Sequence, residues 1–270
     1  MKVLVVGSGG REHVICWKLK QSKRVSELYC CPGNGGIASV ATCVDIKATD
    51  VDKIVEYASS NNFDLVFVAP EDPLALGLVD KLNENGIRAF GPKANAAIIE
   101  ASKVFSKNLM AKYHIPTAEY ALFDNKEKAY DYLEGCEMPI VIKADGLALG
   151  KGVIIAKDID EAKAAVSSML EDKAFGDAGS NIVIEECMVG PELTILAFSD
   201  GEYAIPMISS RDHKRAYDHD EGLNTGGMGA VTPGADRSDD DVKVISDTII
   251  QPTIEALKSE GRPFKGVIYF

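Results

Sequence analysis

Short apolar runs alternate with helical segments through the first hundred residues, and this alternation limits the possible folds more than any other feature. The runs predicted to form buried strands are residues 3–6, 28–31, 65–68 and 87–90. The helices predicted between them are residues 51–58 and 74–82 and a first helix that carries Val14, Ile15, Trp17 and Leu19. Strands that alternate with helices pack as a parallel sheet with helices on both faces. Residues 1–101 therefore predict an α/β domain with a doubly wound, Rossmann-like parallel sheet.

From residue 102 onwards the pattern changes to short strands with interleaved helices. The predicted strands are residues 140–143, 153–156 and 182–185, and the predicted helices are residues 102–113 and 159–170. Two further strands, residues 192–198 and 203–208, flank the turn Ser199-Asp200-Gly201 and are typical of a hairpin. We expect a second, α+β region over residues 102–270, with a smaller subdomain at about 118–190.

The last sixty residues give weaker signals. Residues 209–236 show no periodicity, which predicts one long loop. Ser238 and the acidic residues 239–241 indicate the start of a long helix, because carboxylates favour a helix N-terminus, and Pro252 should kink this helix. Residues 264–270 read as a strand with no partner or helix after it, which we interpret as a chain cut at Phe270.

Composition excludes several classes of protein. A net charge of −12 argues against binding to nucleic acid or to an anionic membrane, since both need basic surfaces. The six cysteines form no CxxC pair and predict free thiols in a reducing compartment. The apolar run at the N-terminus is too short for a signal peptide, and no stretch approaches the length of a membrane span. We expect a cytoplasmic protein.

The segment Gly7-Ser8-Gly9-Gly10 joins the first strand to the first helix. Backbone N–H groups at such a turn can hold a phosphate. A dinucleotide fingerprint would place its third glycine at position 12, which is Glu12 here. Phosphate binding and a plain turn of glycines both remain open for this segment.

A second glycine segment, residues 143–152, lies between two predicted strands and contains Lys143 and Lys151 near its ends. It is not a P-loop, because no helix follows it. A glycine hairpin flanked by lysines can cover a phosphate, although a solvated surface hairpin has the same pattern.

Two polar segments complete the candidates. Residues 185–192 follow a strand and can present backbone groups to an adenine and a carboxylate to a ribose, although acidic strand ends are often simply solvated. Residues 212–215 and 224–230 combine dense charge with glycine, which suits substrate binding. We assign His213 no catalytic role.

Together these motifs resemble the glycinamide ribonucleotide synthetases, which are ATP-grasp ligases of purine biosynthesis. The segments that carry the resemblance are KVLVVGSGGREH, PGNGG, APEDPL, ASK, IKADGLALGKGV, IVIEE, DHKRAYDHDEGLNTGGMGA and FKGVIYF. The resemblance implies that ATP phosphorylates the carboxylate of glycine, and that the amine of 5-phosphoribosylamine then attacks the acyl phosphate. The products would be glycinamide ribonucleotide, ADP and phosphate.

The resemblance also implies site residues and cofactors. The ATP-binding residues would be Lys103, Lys143, Gly150, Lys151, Gly152, Glu185, Glu186, Cys187 and Glu192. Glycine and phosphoribosylamine would be held by Gly9, Gly10, Glu71, Asn224, Thr225, Gly226 and Gly227, and the catalytic residues would be Asp212, Lys214 and Arg215. The ligands for Mg²⁺ or Mn²⁺ would lie beyond Phe270, so we expect residues 1–270 to fold without completing the reaction.

Three alternatives stay open at this stage. One is a different ATP-grasp ligase, such as a purine carboxylase or a biotin-carboxylase-like enzyme, in which the motif DHKR followed by NTGGMG would not be expected. Another is a nucleotide-binding module without catalysis. The third is an NAD-dependent oxidoreductase, which Glu12 argues against.

Overall fold

The structure, a computed structural model, describes residues 1–146, 152–172, 179–234 and 238–270. The chain separates into two compact units. The first unit comprises Met1–Ile98, Ser199–Glu202 and Leu257–Val267, and the second comprises Ile99–Phe198, Tyr203–Ala256 and Ile268–Phe270. In these described ranges, no helix is both long enough and apolar enough to cross a membrane.

The N-terminal hundred residues form the alternating elements that the sequence predicts. The strands are β1 (Lys2–Gly7), β2 (Glu27–Pro32), β3 (Thr42–Cys43), β4 (Leu65–Val68) and β5 (Ala89–Phe90). The helices are α1 (Gly10–Lys20), α2 (Val51–Ser60), α3 (Glu71–Ala75), α4 (Leu78–Glu84) and α5 (Ala94–Ala101). All five strands are parallel, in the order β3-β2-β1-β4-β5, so the chain adds β2 and β3 on one side of β1 and then β4 and β5 on the other. The α/β prediction is confirmed.

Strand β1 is buried on both faces of this sheet. Leu4 and Val6 belong to one apolar core, which includes residues of α2 and α4. Val3 and Val5 belong to a second core, which includes residues of α1. Successive side chains of a strand point to opposite faces. The uninterrupted run of β-branched and aliphatic residues in β1 is therefore explained by helices on both sides of the sheet.

Two details of the first unit differ from the prediction. The single helix predicted over residues 74–82 is instead α3 and α4, which are separated by Gly77 at φ +82°. This left-handed conformation interrupts a helix and is accessible to glycine at little cost. The edge strand β3 was not predicted, because its two exposed residues carry no apolar pattern.

The remaining elements follow the α+β pattern. The strands are β6 (Tyr120–Phe123), β7 (Ile140–Ala144), β8 (Val153–Ala156), β9 (Ile182–Glu186), β10 (Leu196–Asp200), β11 (Ala204–Pro206), β12 (Arg211–Tyr217), β13 (Glu221–Val231) and β14 (Lys265–Tyr269). The helices are α6 (Lys103–Lys112), α7 (Lys126–Leu133), α8 (Ile159–Leu170), α9 (Asp239–Ile245) and α10 (Gln251–Ser259). The predicted hairpin around residues 199–201 is confirmed, with the shorter strands β10 and β11.

The second unit contains a four-stranded sheet in the order β6-β9-β7-β8. Strand β7 pairs antiparallel with both β8 and β9. The core of this sheet includes Ile142 and Ile184 from the strands and Val166 and Met169 from α8. The carboxyl ends of β7 and β9 therefore belong to one sheet, and both carry candidate site residues.

The prediction of one long loop over residues 209–236 is wrong. Strands β12 and β13 form an antiparallel hairpin, with Asp212 opposite Ala230 and Arg215 opposite Asn224. Shifts of register interrupt the pairing between His213 and Arg215 and again before Tyr217. Most of the hairpin is exposed or half-buried. Its side chains therefore lack the apolar alternation by which a half-buried strand is recognised in a sequence.

The helical prediction after Ser238 is confirmed at its start. The Ser238 hydroxyl accepts from the Asp241 amide at 3.2 Å, and the Ser238 amide donates to the Asp241 carboxylate at 2.9 Å. This reciprocal pair satisfies two free amides of the first turn. A π-helical segment, Ser246–Ile250, connects α9 to α10 directly before Pro252. The disturbance expected from this proline therefore takes the form of a wider turn.

The expectation that the last strand lacks a neighbour is also wrong. Strand β14 lies beside β10 in a three-stranded sheet with the order β11-β10-β14. Beyond the strand, Ile195 and Phe270 exchange two backbone hydrogen bonds of 2.9 Å. Phe264 and Ile268 are buried. Residues 264–270 are thus paired along one side.

Candidate functional site

Glu12 fills the turn between β1 and α1. Its carboxylate accepts a hydrogen bond of 2.5 Å from the amide of Gly9, and its side chain lies over Gly7. Gly7 has φ +133°, and a Cβ at this position would lie 2.6 Å from Glu12 Cδ. A buried carboxylate thus occupies the position at which a dinucleotide fingerprint has a third small residue for close packing of helix and strand. This geometry argues against the oxidoreductase alternative.

A second glycine-containing segment packs beside this turn. Asn34 Nδ2 donates to the carbonyl of Ser8 at 2.7 Å, and Asn34 Oδ1 accepts from the amide of Ile37 at 2.8 Å. The amide of Gly33 donates to the carbonyl of Gly7 at 3.1 Å. The motif PGNGG, to which the sequence analysis gave no site residue, therefore holds the first glycine turn in place.

Three predicted substrate-binding residues belong to the first unit. Gly9 and Gly10 are exposed at the start of α1. Glu71 begins α3, and its carboxylate forms an ion pair of 3.1 Å with Arg11. Arg11 was not predicted as a site residue, although it directly follows the glycine turn.

In the second unit, the start of α6 is fastened to the end of β7. Ser102 caps α6 by accepting from the Phe105 amide at 3.0 Å. Asp145 accepts from the Val104 amide at 3.1 Å and lies 3.2 Å from the Ser102 hydroxyl. Lys103 Nζ donates to the carbonyl of Gly146 at 2.9 Å. The ASK motif and the glycine segment after β7, distant in sequence, are thus brought together.

Glu185 lies on β9 between two lysines. Lys143 on β7 pairs with Glu185 Oε1, and Lys107 Nζ on α6 lies 2.8 Å from Glu185 Oε2. The Lys107 contact is an ion pair whose angles do not meet those of a hydrogen bond. The Glu185 side chain is only 7% exposed. We define the lysine cluster as Lys103, Lys107 and Lys143 with the carboxylates of Glu185 and Asp145.

The charges of this cluster shift two pKa values. Burial lowers the pKa of Lys103, and the nearby charge of Lys143 lowers it further, while Asp145 and Glu185 oppose the change. Burial alone would raise the pKa of Glu185. The charges of Lys143 and Lys107 outweigh this effect and hold its pKa below the usual range. Glu185 is therefore ionised at neutral pH, and the cluster holds three cations against two carboxylates.

Lys107 was missed by the sequence analysis. Its position four residues after Lys103 on α6 is a signal that was available, since residues at this spacing share one face of a helix. Gly150 and Lys151 fall outside the described residues. Gly152 is described, and its carbonyl accepts from the amide of Ala144 at 2.8 Å, as expected beside the β7–β8 hairpin.

Three further predicted ATP-binding residues, Glu186, Cys187 and Glu192, lie at the end of β9 or after it. The Glu186 carboxylate accepts from the Glu119 amide at 3.2 Å, and Cys187 is half-buried. Glu192 forms an ion pair with Lys214 of β12. Burial lowers the pKa of Lys214, but Glu192 and the neighbouring Tyr269 and Asp212 raise it above its usual value. Lys214 therefore remains charged.

The β12–β13 hairpin carries the predicted catalytic residues. Asp212 Oδ2 accepts from the Tyr269 hydroxyl at 3.4 Å. Arg215 Nη1 donates to the carbonyl of Gly222 at 2.7 Å, and the Thr225 hydroxyl donates to the carbonyl of Lys214 at 2.9 Å. The other predicted residues on β13 are Asn224, Gly226 and Gly227. The three predicted catalytic residues, one carboxylate and two cations, thus all lie on β12.

Across the ranges that the structure describes, no group of three His, Cys, Asp or Glu side chains is arranged to hold a metal ion. All six cysteines are free.

Two family models match the chain, one over each part. Residues 1–100 match the N domain of phosphoribosylglycinamide synthetase, and residues 101–270 match its ATP-grasp (A) domain. The chain is 50% identical over 269 residues to the phosphoribosylamine–glycine ligase of Halalkalibacterium halodurans, covering 100% of this chain and 63% of the relative. The ligase of Escherichia coli O157:H7 is 48% identical over 271 residues, with the same two coverages. The chain thus spans about 63% of the length of these curated relatives.

Solved structures give the same comparison. The phosphoribosylamine–glycine ligase of Thermotoga maritima has a TM-score of 0.86 and 30% identity, covering 100% of this chain and 64% of that one. The biotin carboxylase domain of the Hydrogenobacter thermophilus 2-oxoglutarate carboxylase, solved with MgADP and bicarbonate, has a TM-score of 0.75. Its identity is 14%, and the match covers 100% of this chain and 60% of that one, so this likeness concerns the fold alone.

Proposed function

The chain belongs to the phosphoribosylglycinamide synthetase family, and we propose that it supplies the ATP site of a ligase that joins glycine to 5-phosphoribosylamine. The observation that carries this proposal is the lysine cluster in the part of the chain that matches the ATP-grasp domain. The products are glycinamide ribonucleotide, ADP and phosphate. The chemistry places the protein in purine biosynthesis.

The lysine cluster fits a polyphosphate. Three lysines face two carboxylates, which leaves one positive charge without a counter-charge inside the cluster. The contact of Lys103 is a neutral carbonyl, that of Gly146, which a phosphate oxygen can replace with a stronger, charge-assisted hydrogen bond. A buried cation whose pKa is lowered by burial gains most from such an anion.

We assign the ATP site to the residues named by the family resemblance. Lys103 and Lys143 bind the phosphates, and Gly150, Lys151 and Gly152 cover them. Glu185, Glu186 and Cys187 contact the adenine, and Glu192 contacts the ribose. The domain boundary is placed at residues 101 and 102. The four-stranded sheet supports a small lid subdomain at about 118–190.

The acceptor substrates are assigned to two sets of residues. Glycine and phosphoribosylamine are held by Gly9, Gly10, Glu71, Asn224, Thr225, Gly226 and Gly227. Asp212, Lys214 and Arg215 act at the reacting groups. Lys214 remains charged beside Asp212 and Glu192, and Arg215 lies on the same strand, which suits the two side chains to anionic substrates.

The reaction needs no protein nucleophile. A carboxylate is a poor electrophile, so an oxygen of glycine first takes the terminal phosphoryl group of ATP and ADP leaves. The amine of phosphoribosylamine then attacks the acyl carbon, loses a proton and expels phosphate. Lysine side chains lower the barrier by neutralising charge on the phosphoryl oxygens, and a closed cover keeps water from the acyl phosphate.

We propose that Mg²⁺ or Mn²⁺ accompanies the nucleotide. A divalent ion supplies charge that bridges the phosphates when it is bound. The described residues contain no three-ligand cluster for such an ion, so no step is assigned to a metal on this chain. Free cysteines are consistent with a cytoplasmic setting.

A chimera tests the proposed ligase function within a whole relative, of which this chain covers 63%. In it, the present chain replaces the matching segment of the Halalkalibacterium halodurans ligase, to which it is 50% identical. We expect ADP release that requires ATP, glycine and phosphoribosylamine together, and mass spectrometry should detect glycinamide ribonucleotide. The same chimera with Lys143→Ala is the control and should lose most of this activity. A folded chimera that binds ATP but releases ADP independently of glycine would refute the assignment.

A further inference from the structure

Lys107 is held in one position by contacts from three directions. Its Nζ lies 2.8 Å from Glu185 Oε2, 2.7 Å from the Thr117 hydroxyl and 3.2 Å from the Ala118 carbonyl. It also lies over the ring of Tyr120, 5.1 Å from the centroid. The side chain is 12% exposed. A lysine fixed in this way has no freedom to follow a ligand.

Lys143 is in a different situation. It pairs with the other oxygen of Glu185, and its side chain is 28% exposed, more than twice the value for Lys107. A nucleotide phosphate that binds Lys143 competes with Glu185 for its ammonium group. A buried carboxylate that loses its partner is strongly destabilised unless another charge remains.

We propose that Lys107 is a positioning residue that keeps Glu185 paired and in place when Lys143 turns from Glu185 to a phosphate of the nucleotide. This inference rests on the proposed ATP site. In the structure Glu185 carries both lysines at once, one on each oxygen. A phosphate therefore displaces one of two partners, and the carboxylate remains neutralised by the other.

The surroundings of Lys107 support the division of roles. The Tyr120 hydroxyl donates to the carbonyl of Lys107 at 2.9 Å, and Tyr120 lies opposite Glu185 in the β6–β9 pairing. Lys107, Tyr120 and Glu185 thus form one closed contact between α6, β6 and β9. Lys143 lies on the other side of Glu185, on β7.

The test compares ATP with adenosine, because adenosine has no phosphate and leaves Lys143 on Glu185. For Lys107→Met we expect at least about tenfold weaker ATP binding by calorimetry, because Glu185 would lose its remaining partner in the ATP complex. Adenosine affinity should change by less than about twofold. Lys107→Arg, which keeps the charge, should restore most of the ATP affinity. Lys107→Gln, which keeps a donor for Thr117, should behave like Lys107→Met and replaces it if that variant does not fold.

Lys163→Met is the matched control. Lys163 also pairs with a carboxylate, that of Glu134, and lies over a tyrosine ring, that of Tyr130 at 5.6 Å, but it is outside the lysine cluster. The Lys163→Met substitution should leave the affinities for ATP and for adenosine unchanged.

The outcomes separate this inference from the proposed function. If Lys143→Ala leaves ATP binding unchanged, the proposed ATP site is wrong. If Lys143→Ala weakens ATP binding and the uncharged Lys107 variants do not, the positioning role is wrong. The positioning role is also wrong if those variants weaken the binding of ATP and of adenosine equally, because a general structural defect would affect both ligands.

Discussion

Lys143→Ala is expected to weaken ATP binding by about 10- to 100-fold, the equivalent of roughly 1.5–3 kcal/mol for a charge-assisted hydrogen bond. The physical reason is that Lys143 lies near the end of β7, beside Lys103 and the glycine segment. Its ion pair with Glu185 is the contact that a phosphate would have to replace. The energy needed to leave Glu185 offsets part of the gain, so we expect the lower half of this range. Isothermal titration calorimetry of the folded variant measures the change.

Lys126→Ala is the control for this substitution. Lys126 belongs to the same unit and pairs with one carboxylate, that of Glu171 at 2.6 Å, but it lies at the start of α7. Its removal should leave ATP affinity within about twofold of the unaltered protein. If Lys143→Ala costs no more than Lys126→Ala, Lys143 is a solvated lysine without a phosphate contact.

The double variant Lys107→Met with Lys143→Met should lower the stability of the β7–β9 region by about 3–5 kcal/mol, the typical cost of an uncompensated buried charge. It leaves Glu185 without either of its ion-pair partners. Hydrogen exchange of the β7 and β9 amides is the suitable measurement. Tryptophan fluorescence would not report on this region, because the only tryptophan of the sequence, Trp17, belongs to the first unit.

The pH dependence of this loss has a defined sign. In the unaltered protein the pKa of Glu185 is below its usual value, so the ionised group contributes stability at neutral pH that is lost as the pH falls through the folded pKa. In the double variant burial dominates and raises this pKa, so protonation removes an unpaired charge. The difference in stability should therefore shrink in acid.

A third substitution tests whether the unpaired charge of Glu185 causes the loss of stability in the double variant. Adding Glu185→Met to the double variant replaces the buried charge by an apolar side chain of similar length, which is often neutral or stabilising. The triple variant should recover most of the lost protection. If it remains as unstable as the double variant, lost packing of the lysine stems explains the effect and the charge account is wrong.

The parallel sheet was predictable because its central strand, β1, is buried on both faces. Strand β1 and strand β4 are continuous apolar runs, and the glycine turn after β1 and the acidic start of α3 after β4 mark where each run ends. Burial forces this composition on a central strand. The edge strand β3 has no such constraint, and its two exposed residues gave no signal.

The β12–β13 hairpin was missed for the opposite reason. Backbone pairing defines it, while exposed residues such as Tyr217 and Met228 alternate with charges and glycines. A period of two is visible in a sequence only where one face is buried. The motif in this segment indicated the family correctly, but the charges that suggested a site also removed the apolar alternation of a strand.

The lysine cluster was half visible in the sequence. Lys103 and Lys143 were predicted through the family resemblance, and Glu185 was placed at a strand end. That Glu185 is buried between Lys107 and Lys143 depends on the pairing of β9 with β7 and on the position of α6. Such contacts join residues far apart in the chain, and no local pattern encodes them. The roles of all the predicted site residues, including Gly150 and Lys151, remain predictions.

A crystal structure with a non-hydrolysable ATP analogue tests the ATP site most directly. The account predicts phosphate oxygens within about 3 Å of the Nζ atoms of Lys103 and Lys143, the distance of a charge-assisted hydrogen bond. Lys143 should have left Glu185, and Lys107 should still hold it. A nucleotide bound elsewhere, with the Lys143–Glu185 pair intact, would contradict the account.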